Sequence, residues 1–146
     1  MAPSTANLIR GVRGLVSAGL DAGAAEMDAE AQALTAQLRA SSPHGIDTGA
    51  TDASLTVARV GRGESGAAAL SAAVAAVEQH NPGHSATSQV AINGELGALA
   101  YSATDYQNYL ETENAGQYAY LGPFVPTMGE RMTRAFSRGS KRRLGG

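Results

Sequence analysis

A chain of 146 residues holding 25 Ile, Leu, Val and Phe side chains, about 17 % of its length, can fill one small core in a single domain. Its net charge of −2 is too small for a charge-expanded disordered chain, and the absence of cysteine excludes disulfides, thiolate metal sites and a cysteine nucleophile. No run approaches the roughly 18 apolar residues of a membrane span, and the apolar stretch behind Arg10 and Arg13 is interrupted by Gly19 and ended by Asp21, too short for a signal peptide; the expectation is a soluble protein made in the cytoplasm.

Charge is unevenly spread. Residues 1–130 carry all 13 acidic side chains and five basic ones, a balance of −8, whereas 131–146 carry Arg131, Arg134, Arg138, Lys141, Arg142 and Arg143, a balance of +6. Such an asymmetry reads either as a helix end complemented by cations or as a basic tail for an acidic partner. The seven aromatic residues all lie between Tyr101 and Phe136, in a chain otherwise rich in Ala, Gly, Ser and Thr. Since rings bury far more surface than alanines, that stretch is the expected core and the expected contact surface.

In chain order, Leu8, Val12, Leu15, Leu20, Ala24, Met27, Ala31, Leu34 and Leu38 recur mostly at three- and four-residue steps, which predicts a long helix from about Thr5 to Arg39. Gly11, Gly14, Gly19 and Gly23 each weaken it by roughly 1 kcal/mol relative to alanine. They predict either a break near Gly19 to Gly23 or a place where another backbone comes close. Pro43 ends the segment. Ala53, Leu55 and Val57 then alternate with Ser54, Thr56 and Ala58 in the manner of a half-buried strand.

Gly61 to Gly66 reads as a connector, and Ala67 to Gln79 as a short helix with Leu70, Val74 and Val77 on one face. His80 and His84, with Glu78 nearby, would suit a metal on a helix, but Pro82 and Gly83 between them predict a solvated loop and no metal site. Gln89 to Asn93 and Leu96 to Ser102, joined by the turn signal Asn93-Gly94, predict a hairpin added to the strand near Leu55. Tyr106, Tyr109 and Leu110 share a face of a short helix, Gln117 to Leu121 reads as a strand, and Pro123 and Pro126 lead to a final helix capped by Thr127 with Met128, Met132 and Phe136 facing inward. The fold class expected is α+β, with a long N-terminal helix and a C-terminal helix packed on a small antiparallel β-sheet and a short helix inserted. Residues 1–136 form the domain and 137–146 a flexible basic tail.

Two resemblances follow. Asp47-Thr48-Gly49-Ala50-Thr51 resembles the active-site loop of retroviral-type aspartic proteases, in which Asp47 would be catalytic; the apolar strand that precedes the aspartate in that family is replaced here by Pro43-His44-Gly45-Ile46. Over most of its length the chain resembles the tail-completion, or neck, proteins of long-tailed bacteriophages. The residues that carry this are a long N-terminal helix, Pro43 and Thr48-Gly49 opening a strand that contains Ser54, then Tyr106, Tyr109-Leu110-Glu111, and Phe124 and Pro126 before a terminal helix.

The second resemblance implies a non-enzymatic virion protein without cofactors, assembled in the host cytoplasm. It would form a homo-oligomeric ring of six or twelve copies that joins the head connector to the tail-tube or terminator proteins, with genomic DNA in the lumen and no membrane contact. A tail terminator or a head-closure ring is the neighbouring alternative, and a DNA-binding accessory protein or the aspartic protease with Asp47 is the alternative outside that class. The expected interface residues are Tyr106, Tyr109, Tyr118, Tyr120 and Phe124, with the option that some fill the subunit's own core. Arg138, Lys141, Arg142 and Arg143 are the candidates for DNA or an acidic partner.

Overall fold

The computed structural model describes residues 4–40, 50–61, 65–86, 96–105 and 121–145. Six elements follow in order: α1 (Thr5–Ala40), α2 (Ala50–Ser54), β1 (Thr56–Val60), α3 (Ser65–His80), β2 (Gly97–Tyr101) and α4 (Leu121–Arg143). The architecture is α+β, as expected from the order of periodicities, with a two-stranded antiparallel sheet between helices.

Helix α1 is one continuous rod of 36 residues, about 54 Å long at 1.5 Å per residue. Ser4 caps its start, its Oγ accepting the Asn7 N–H at 3.2 Å. The break expected near Gly19 to Gly23 is absent; what comes close to these glycines is not another backbone but the side chains of Leu144 at Gly19 and Phe136 at Gly23. Helix α4 runs antiparallel against this part of α1, so that Glu26 meets Arg138 and Arg142 whereas Gln37 meets Arg131. A Cβ on Gly23 would lie 2.4 Å from Cδ2 of Phe136, and one on Gly139 would lie 2.4 Å from the carbonyl oxygen of Ala22. Close packing at Gly19 and Gly23 offsets their weak helix propensity, whereas Gly11 and Gly14 have nothing within 4 Å.

Strand β1 departs from the expected alternation, since four of its five residues are buried. Both of its faces are covered. Val57 joins Met27, Leu34, Leu38, Leu55, Phe124 and Met132 in the main core between α1 and α4, while Ala58 joins Ala73, Val77, Tyr101 and Ala103 in a second cluster beneath α3. Ala53 and Ser54, expected to start the strand, belong to the short helix α2 instead. β2 pairs with β1 in antiparallel register from Thr56 opposite Tyr101 to Val60 opposite Gly97. Its predicted hairpin partner, 89–93, and the turn at Asn93-Gly94 lie outside the described residues.

The edge of β1 away from β2 is closed by side chains of α1. Thr35 Oγ1 donates to the Val57 carbonyl at 3.2 Å and accepts the Val57 N–H at 2.9 Å, and Arg39 Nε donates to the Leu55 carbonyl at 2.7 Å. Arg59, buried at 7 % side-chain exposure, forks onto Asp28 through Nε and Nη2 at 2.8 and 3.1 Å and gives Nη1 to the Gly61 carbonyl. A buried guanidinium is tolerated because its charge and its donors are met in this way.

Two boundaries differ from the sequence reading. Helix α4 begins at Leu121, so Leu121 is helical rather than the end of a strand, and Pro123 and Pro126 lie inside the helix instead of before it. Pro123 stands in the first turn, where its N–H would have had no helical partner. At the other end there is no separate tail from 137: the helix continues to Arg143, with Ala135 and Gly139 buried against α1.

Candidate interaction surface

The first four turns of α1 project past the body. The last turn of α4 ends with Leu144 against Gly19, where a Cβ would come within 3.1 Å of the leucine side chain. Beyond that point Leu8, Ile9, Val12, Leu15 and Val16 are between 48 % and 60 % exposed. Their spacing at i, i+1, i+4, i+7 and i+8 places them on one face, and that face continues the one by which Gly19, Gly23, Met27, Leu34 and Leu38 meet the rest of the chain. Arg10 and Arg13 fall on the other side of the helix. The sequence stripe thus divides into a half that is core and a half that nothing described covers.

Beside the base of this projection, α1, β2 and α4 enclose an open groove of 640 Å³ lined by Leu20, Met27, Leu96, Met128, Met132 and Phe136, with exposed Val125 and Gly129 also along it. Methionines give it a deformable apolar lining. Gly129 leaves open space where a side chain would stand. A second groove of 650 Å³, between α1, β1 and α3, is floored by the Asp28–Arg59 pair and walled by Ala69, Ala72, Ala73 and Ala76, which are too small to fill it.

Four of the six basic residues of 131–143 meet acids of the same chain. Arg131 reaches Glu30 and Gln37, Arg138 Nε lies 3.4 Å from Glu26 Oε2, and Arg142 Nη1 lies 2.9 Å from Glu26 Oε1. Arg134 pairs with Glu130 one turn back on α4. Of the residues expected to take DNA or an acidic partner, Arg138 and Arg142 therefore hold α4 to α1, while Lys141 and Arg143 make no ion pair among the described residues.

Polar chemistry elsewhere is modest. Buried Ser54 shares a 2.8 Å hydrogen bond with Ser102, which lies 3.2 Å from the Thr104 hydroxyl, and Ser54 Oγ also accepts the Ala103 N–H at 3.2 Å. This ties α2 to the strand end. His84 Nδ1 lies 3.3 Å from Asp105, both half exposed. Glu78 accepts from the Ser85 hydroxyl and from the Gly83 N–H at 3.2 Å, and those bonds, the serine first, hold its carboxyl below the usual range. His80 ends α3 with Nδ1 on the Ala76 carbonyl at 2.8 Å. The two histidines are thus directed to different partners.

Phe124 is buried in the main core, beside Met27, Leu34 and Met128, and fills the subunit rather than presenting a contact. Tyr106, Tyr109, Tyr118, Tyr120 and Asp47 lie outside the described residues. Ile9 and Val16 were not singled out by the sequence reading, although their positions beside Leu8 and Leu15 widen the stripe beyond what a single core contact needs. Glu26 and Glu30 were also passed over; their four-residue spacing opposite a basic helix was the signal. No helix of the described residues is long and apolar enough to cross a membrane. Comparison with protein-family models, with characterised proteins and with solved structures gave no match.

Proposed function

We propose that this chain is a structural, non-catalytic subunit of a tailed bacteriophage neck, a ring-forming tail-completion protein that joins the head connector to the tail. The observation that carries the reading is the projecting, apolar end of α1, which nothing among the described residues covers, on a subunit whose described core is small. Such a subunit gains its remaining burial from neighbours, and closed rings are the economical way for identical copies to supply it. The order of motifs from Pro43 and Thr48-Gly49 to Phe124 and Pro126 supports the neck in particular.

The test is genetic. A phage with an early stop codon in this reading frame would accumulate DNA-filled heads and separate finished tails, and purified protein added to the extract would join them. Overlong tails would point instead to a tail terminator, and heads that lose DNA to a head-closure ring. Normally joined, infectious particles would remove the virion reading altogether.

A further inference from the structure

We draw no further inference here: the strongest candidate, the cleft between α1, β1 and α3 with the Asp28–Arg59 pair on its floor and the alanines of α3 on one wall, carries nothing, because Arg59 is already met by Asp28 and the Gly61 carbonyl and nothing among the described residues shows what covers the cleft.

Discussion

The side chain of Thr35 holds both backbone polar groups of Val57. Its hydroxyl donates to the carbonyl at 3.2 Å and accepts the N–H at 2.9 Å, which is what an additional strand would have done for this edge of β1. With Arg39 on the Leu55 carbonyl and Asp28 on Arg59, this residue holds the distance and register between α1 and the sheet, and through them the position of the core that α4 closes.

Thr35→Val keeps the shape and removes both hydrogen bonds. The Val57 N–H and carbonyl would be left without that partner beneath a helix, so the variant is expected to lose about 1–3 kcal/mol of stability. Thr35→Ser, which keeps the hydroxyl, should lose less. Urea unfolding followed by circular dichroism measures both, and equal midpoints for the valine variant and wild type would refute the role.

Two glycines of α4 are expected to respond with opposite sign. Alanine at Gly139 would place its Cβ 2.4 Å from the Ala22 carbonyl oxygen and 2.9 Å from the carbonyl carbon, backbone atoms that cannot rotate away. The helices must separate, at a cost of about 1–3 kcal/mol. Alanine at exposed Gly129 meets nothing within 4 Å and should gain up to about 1 kcal/mol from helix propensity. Thermal unfolding of the two variants side by side tests the crossing.

Because Arg138 and Arg142 face Glu26, the wild-type chain is expected to bind duplex DNA weakly at physiological salt. Glu26→Gln/Glu30→Gln would release the arginines and raise that binding several-fold, with a steeper dependence on salt. The Glu26 pairs, whose arginines are exposed, contribute up to about 1 kcal/mol each, and the part-buried Arg131–Glu30 pair adds to the stability cost. Fluorescence anisotropy with a labelled duplex reads the change; tight wild-type binding unaffected by the double variant would favour a DNA-binding accessory protein.

Burial pushes the Tyr101 phenol up from its ordinary 10 to about 12. The phenol of the unfolded chain ionises near 10, whereas that of the folded chain stays protonated until about 12, so this group's contribution is complete below pH 10 and is lost as pH rises from 10 to 12. Its hydroxyl has no hydrogen-bond partner among the described residues. Tyr101→Phe should therefore be near neutral at pH 7 and should flatten the alkaline fall in the urea midpoint. A wild type and variant that fall together would show that other groups govern that limb.

Much of the fold was legible in the sequence because it rests on local periodicity. The three- and four-residue recurrence from Leu8 to Leu38, the alanine-rich run ending at His80 and the stripe of Met128, Met132 and Phe136 each named a helix, and the run from Leu96 to Ser102 named the strand that pairs with β1. Periodicity states which residues share a face. It does not state what covers that face.

That second question was decided by tertiary structure at every point where the two disagree. Leu15 and Leu34 belong to one stripe, yet Leu34 is sealed by the sheet and α4 while Leu15 stands in the open, because α4 ends where Leu144 meets Gly19. The arginines from 131 onward form a basic cluster in sequence, yet Arg131, Arg138 and Arg142 are taken up across a helix pair once α4 runs antiparallel to Glu26 and Glu30. Glycines that weaken an isolated helix become the contact that brings Gly139 onto Ala22. Composition and spacing determined which helices form and which side chains they align; the length of α4 and the direction of its crossing determined which of those side chains are core and which stay exposed, since burial depends on what arrives from elsewhere in the chain.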